Sequence, residues 1–252
     1  MTTENMVVDV SLDWVLACDV QRRFMQGLGR ASDSLDYSGR CRQVRALGGD
    51  CYDFMPLANE RLALVVGDAS GRGVAAALMI ASVQSSLRTA ALFTGENLAT
   101  LLGIVNLQSY GSSLADRYAT LFYGVFDRAT RTLRYVNAGH TPPIVLRRDG
   151  SIDTLETGGA PVGMFPDSRY EEGVAQLDPN DVVITYTDGV IEAEYQSGEE
   201  WGVHGLLNAA VAGARQGDEN AEQLVRSIFN SMDDFTQGCQ MDDATLAVLR
   251  VL

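Results

Sequence analysis

Residues 118–137 read YATLFYGVFDRATRTLRYVN. Two runs rich in aromatic and β-branched residues, Tyr118–Asp127 and Thr132–Asn137, flank a short turn at Arg128 to Thr130. So short a connection predicts a β-hairpin, because parallel neighbours would need a crossover of a dozen residues or more. Upstream, Arg61–Gly67 (RLALVVG) is a continuous apolar run bounded by turn formers, the pattern of a buried strand. It leads through GDASGRG into the alanine-rich, periodic stretch Val74–Phe93, which predicts a helix, and a second helix is expected from Glu96 to about Tyr110. Downstream, Pro142-Pro143 break the chain before a strand at Ile144–Arg148, and Asp149-Gly150 make a hairpin turn. Gly158-Gly159-Ala160-Pro161 reads as a loop, Asp181–Thr187 as a buried strand, residues 203–213 and 219–232 as helices, and Ala244–Leu252 as a closing strand.

The beginning of the chain is helical in period. Leu12, Val15, Leu16, Val20, Phe24 and Leu28 recur at helical spacing over residues 11–28, with Gly27 and Gly29 as stop signals. Residues 30–40 are polar and rich in turn formers, and the pattern becomes strand-like from Cys41. Hairpins dominate over β-α-β alternation, so largely antiparallel sheets covered by helices are expected, an α+β fold. Residues 1–35 are expected to form a separable helical segment, and residues 36–252 one large domain.

Composition narrows the chemistry. All 19 basic residues among the 252 are arginine. Without lysine there is no Schiff-base lysine and no G-K-[ST] phosphate loop. Two histidines, His140 and His204, cannot make a three-histidine zinc site. A formal net charge of −14 argues against nucleic acid as a partner. Fifteen arginines lie in residues 1–149, whereas 19 of the 33 acids lie in residues 150–252. No apolar run approaches the roughly 18 residues of a membrane span, so no membrane segment is expected. The start of the chain lacks a basic region followed by an apolar one. Cys18, Cys41, Cys51 and Cys239 form no C-x-x-C pair, which points to reduced thiols and a cytoplasmic location.

Four aspartate motifs stand at strand ends: GGDCYD (48–53), GDASGRG (67–73), TDG (187–189) and DDAT (242–245). Each alone is a common turn or cap. Together they allow carboxylates from neighbouring strands to converge, and such a cluster repels itself unless a cation is present. Oxygen donors and almost no histidine suit a hard ion, Mg²⁺ or Mn²⁺.

The ordered blocks GGDCYDF, LVVGDASGRGVAAALM, YATLFYGVFD, LRYVNAGHTPPIVL, GGAPVGMF, VVITYTDGVIEA and DDATLAVLRV, covering roughly residues 41–252, resemble the bacterial serine phosphatases of the sporulation stage II E and RsbU type. These are a branch of the metal-dependent protein phosphatases (PPM). The resemblance implies a four-layer α-β-β-α sandwich and two Mn²⁺ or Mg²⁺ ions. By motif, Asp68 would bridge both ions, the Ala69 carbonyl would coordinate one, and Asp188 and Asp242 would complete that site. Asp50 would serve the second ion, directly or through water. Asp243 joins the metal candidates with its role open. Asp53, Gly71, Arg72 and His140 are candidates for substrate contact or for support of the ligands; a loop-fixing hydrogen bond is the preferred role for His140. The resemblance further implies hydrolysis of phosphoserine or phosphothreonine on a STAS-type anti-anti-sigma factor, within a partner-switching pathway. The N-terminal helix would couple an upstream sensor or activator to the domain, and a homodimer is left open. Two other readings stand beside it. One is a catalytically weak or inactive binding module of the same fold. The other is a nucleotide cyclase, suggested by GGD but lacking its following acid and the remaining blocks.

Overall fold

The computed structural model describes residues 3–25, 34–93, 97–112, 117–215 and 220–252. Residues 26–28 of the expected first helix, its stop signals Gly27 and Gly29, Glu96 of the third helix and residue 219 of the last lie outside these.

The chain runs α1 (Thr3–Phe24), β1 (Leu35–Arg42), β2 (Asp50–Pro56), β3 (Arg61–Ala69), α2 (Val74–Phe93), α3 (Leu98–Ser112), β4 (Ala119–Asp127) and β5 (Thr132–Ala138). It continues with β6 (Ile144–Leu146), β7 (Ile152–Thr154), β8 (Gly158–Gly159), β9 (Gly173–Gln176), β10 (Val182–Tyr186), α4 (Asp188–Ile191), α5 (Gly202–Arg215), α6 (Ala221–Thr236) and β11 (Ala244–Val251). One sheet has the order β1-β11-β10-β6-β7; the other has β2-β3-β4-β5-β8, with β9 also paired to β5. Every pairing is antiparallel except the two-residue β5–β8 contact.

Strand alternation explains the layers. Leu62, Leu64 and Val66 of β3 meet Val183 of β10 and Ala247 and Leu249 of β11 in a core between the two sheets. Ala63 and Val65, on the opposite face of β3, pack against Ile80, Val83 and Leu87 of α2 and Leu101 and Leu102 of α3. Ile184 and Leu246 turn outward onto Leu206 of α5 and Leu224, Ile228 and Phe229 of α6. The result is the α-β-β-α sandwich.

Several details differ from the sequence expectations. Residues 35–42 form a strand, not a turn region. β1 sits at a sheet edge, where only Leu35 and Tyr37 need be buried against the core, so its composition is largely polar. Gly158–Gly159, expected as a loop, pairs in parallel with Asn137–Ala138. Helix α1 starts at Thr3, and its apolar Leu12, Val15, Leu16 and Val20 are exposed. Its far end is tied down: the Gln21 side chain donates to the Gly48 carbonyl and accepts from the Gly48 amide. Helix α2 is, by length and mean hydropathy alone, sufficient to cross a membrane, which the count of uninterrupted apolar residues did not register. In the fold it buries Ala76, Ile80, Val83 and Leu87 against a sheet.

Candidate metal centre

Asp50 opens β2 and Asp68 is the penultimate residue of β3. The register places them directly opposite each other. Both share the strand face of Phe54, Leu64 and Val66, so both point into the space between the sheets at its end. The other sheet delivers Thr187 and Asp188 at the junction of β10 and α4, and Asp242 and Asp243 just before β11. The sandwich therefore brings the acids of both halves of the sequence to one place. Asp50, Asp68, Asp188, Asp242 and Asp243, with Ala69, Gly71 and Arg72, line a cavity of about 170 Å³.

Each carboxylate has a defined setting. Asp50 is almost fully buried. Its Oδ2 accepts hydrogen bonds from Thr187 Oγ1 and Thr245 Oγ1, each at 2.7 Å. The Thr245 amide in turn donates to Thr187 Oγ1 at 2.9 Å, so the two hydroxyls form one unit reaching across from the opposite sheet. Asp243 accepts from the Val44 amide at 2.8 Å and the Gly49 amide at 3.0 Å. Asp242 accepts from the Asp243 amide at 2.9 Å and pairs with Arg72 Nη2 at 2.7 Å. Asp188 Oδ1 accepts from the Gly189 amide at 2.8 Å.

Crowding shows in the protonation equilibria. Burial, followed by the charges of Asp188, Asp242 and Asp243, pushes the Asp68 carboxyl up to about 7. Burial and the facing Asp68 hold Asp50 well above the usual carboxylate range, against the pull of the two threonine hydroxyls. Burial also raises Asp188 and Asp243. Five carboxylates lining one cavity are costly without a cation. The all-oxygen donor set fits a hard divalent ion. Among the described residues, no three His, Cys, Asp or Glu side chains are gathered around a single point as metal ligands. Asp50, Asp242 and Asp243 instead direct oxygens to threonine hydroxyls, an arginine and backbone amides.

Two of the sequence candidates lie away from the cavity. Asp53 is three residues from Asp50, so it points to the opposite face of β2. There it is buried and bonded to Arg88 Nε of α2 at 2.7 Å, a structural pair. His140 is buried behind the site. Its amide donates to Asn137 Oδ1 at 2.7 Å, and Nδ1 lies 2.9 Å from Thr120 Oγ1. Thr120 stands opposite Asp68 in the β3–β4 register, so His140 supports the strand next to the site. Burial lowers the imidazole to about 4, so it is neutral near pH 7. The sequence reading missed Thr187 and Thr245. The available signal was alternation: both are polar at positions whose strand neighbours face the inter-sheet core.

The family model for Stage II sporulation protein E matches residues 58–252. Protein IcfG of Synechocystis sp. is 29% identical over 232 residues, which are 81% of this chain and 36% of that protein; the chain thus spans about a third of it. Phosphoserine phosphatase RsbU of Bacillus subtilis is 24% identical over 255 residues, covering 99% of this chain and 73% of that one. Among solved structures, the catalytic domain of the serine threonine protein phosphatase PstP, in complex with two manganese ions, superposes with a TM-score of 0.64 at 17% identity, covering 87% of this chain and 99% of that one. At that identity it is the fold that is shared. With the family model spanning more than three quarters of the residues, the chain belongs to the Stage II sporulation protein E family.

Proposed function

We propose that this chain is a metal-dependent protein phosphatase that hydrolyses phosphoserine or phosphothreonine on a regulatory protein, with a STAS-domain anti-anti-sigma factor as substrate. The observation that carries the reading is the convergence of five aspartates from both sheets on one cavity, with Asp50 facing Asp68. The names of RsbU and PstP support the same activity.

Asp68, Asp188, Asp242 and the Ala69 carbonyl would hold one ion, with Asp68 shared by a second that Asp50 serves. When bound, two divalent ions supply Lewis acidity toward phosphoryl oxygens and a water acidic enough to attack phosphorus at neutral pH. The protein's own residues do the positioning. Thr187 and Thr245 fix the Asp50 carboxylate, and the Val44 and Gly49 amides fix Asp243. The rigid β2–β3 pair sets the separation of Asp50 and Asp68. His140, buried and neutral, braces Thr120. Residues 1–35 act as the regulatory segment, transmitting an upstream input through the Gln21–Gly48 contact two residues before Asp50.

The test is manganese-dependent release of phosphate from an aryl phosphate and from a phosphorylated STAS protein, by wild type and Asp68→Ala. Metal-dependent turnover lost in the variant supports the reading. Equal rates in the two proteins sink it, and manganese binding without turnover would favour a binding module.

A further inference from the structure

Arg72 is the cationic residue on the wall of the aspartate cavity. It stands between Gly71 and Gly73, whose φ angles of 98° and 73° are left-handed conformations that glycine adopts without strain. The loop is anchored on the Ser70 side. The Ser70 carbonyl accepts from Arg117 Nη1 at 2.8 Å, the Ser70 amide donates to the Tyr118 carbonyl at 2.8 Å, and Ser70 Oγ accepts from the Tyr118 amide at 3.1 Å. Beyond that anchor the Arg72 side chain crosses to the other sheet and meets Asp242.

The two partners of this ion pair are held unequally. The backbone amide of Asp243 fixes Asp242 through its second oxygen. Arg72 has a glycine on either side. The side chains are 60% and 50% exposed, and pairs so solvated contribute little to stability. Exchange of Arg72 for another cation is therefore cheap. Arg45 reaches the Gly73 side of the loop, whereas three other arginines are engaged elsewhere. Arg42 pairs with Asp233 at 2.6 Å and lies 4.2 Å over the Phe229 ring. Arg88 holds Asp53, and Arg117 holds Ser70.

We propose that Arg72 is a displaceable internal counter-ion of Asp242 that, once released, presents its guanidinium to the phosphoryl oxygens of the substrate. The proposal rests on the metal-centre reading above. It follows from charge: Arg72 and a divalent cation compete for the same carboxylate, and loading frees a planar donor suited to bidentate phosphate contact at the cavity wall. With no lysine in the chain, this role falls to arginine. Arg72 thus lowers metal affinity and raises phosphate affinity, two opposite effects that an ordinary surface ion pair would not produce.

The test is calorimetric titration of Mn²⁺ into wild type, Arg72→Gln and Arg72→Lys, followed by titration of inorganic phosphate into each manganese-loaded protein. Arg72→Gln is expected to bind Mn²⁺ roughly 3- to 10-fold more tightly and inorganic phosphate about 10-fold more weakly, with Arg72→Lys between it and wild type in both. Wild type that takes up Mn²⁺, with Arg72→Gln matching it in either affinity, overturns the proposal. Absence of Mn²⁺ uptake by wild type overturns the metal centre itself and the proposal with it.

Discussion

Asp50 lies directly opposite Asp68 in the antiparallel β2–β3 pair, so two carboxylates confront each other at the end of the inter-sheet core. Like charges directly opposite in a sheet are destabilising. Asp68→Asn removes one of them and should stabilise the metal-free protein by up to about 1 kcal/mol, raising its Tm by roughly 1–4 °C. Metal-dependent hydrolysis should fall on the order of 100-fold or more. Thermal unfolding in EDTA, alongside aryl phosphate turnover with Mn²⁺, measures both. A lower Tm would show that the opposition is not costly.

Thr187 and Thr245 are expected to act as a unit. Replacing either by valine leaves Asp50 Oδ2 with one hydroxyl donor. Loss of a hydrogen bond to a buried acid costs about 1–3 kcal/mol. Because the Thr245 amide also donates to Thr187 Oγ1, the single losses should not add. Denaturant unfolding of the two single variants and the double variant gives the coupling; strict additivity would refute it.

Metal uptake should be linked to protons. With the Asp68 carboxyl pushed up to about 7, a fraction of the protein carries a proton there near neutrality. Binding a divalent ion requires the ionised form and releases that proton. Apparent Mn²⁺ affinity should therefore rise from pH 6 to pH 8, with fewer protons released at the higher pH. Calorimetry in buffers of different ionisation enthalpy reads this directly, and a pH-independent affinity would contradict it.

His140 gives a stability effect of definite sign. Its folded value of about 4 lies below the ordinary imidazole value of 6.5, so between those pH values the unfolded chain binds the proton first. Stability from this residue is complete above about pH 6.5 and is lost as pH falls toward 4, up to about 3 kcal/mol. The carboxylate cluster titrates in both wild type and His140→Asn, so the difference between their pH–stability curves isolates the imidazole. Parallel curves from pH 7 to pH 4 would rule the effect out.

The long periodic elements were legible in the sequence. The β4–β5 hairpin, β3 leading into α2, and the buried strands β10 and β11 lie where pattern and turn formers place them. The start of α6 is marked by a capping box between Asn220 and Gln223. Edge and contact-only strands were not legible. β1 is polar because one side of it meets solvent, and β8 is two glycines with no side-chain pattern at all. In the site, the five aspartates could be found by motif because each sits at a strand end. Asp53 shares a motif with Asp50, yet the period of two separates their faces, and the motif alone overrode that signal. The threonine pair was hidden because hydrogen-bond partners across two sheets leave no local spacing.

Strand β11 lies between β1 and β10, with Leu35 paired to Val251. It follows every other element among the described residues, yet it completes the interior of one sheet and carries Thr245 to Asp50. During synthesis, domains fold from the N-terminus as chain emerges. Here the earliest strand must wait for the latest one, and Asp242 and Asp243 appear only at that moment. A chain emerging N-terminus first therefore cannot close this sheet, or assemble the aspartate cavity, before β11 is available to pair.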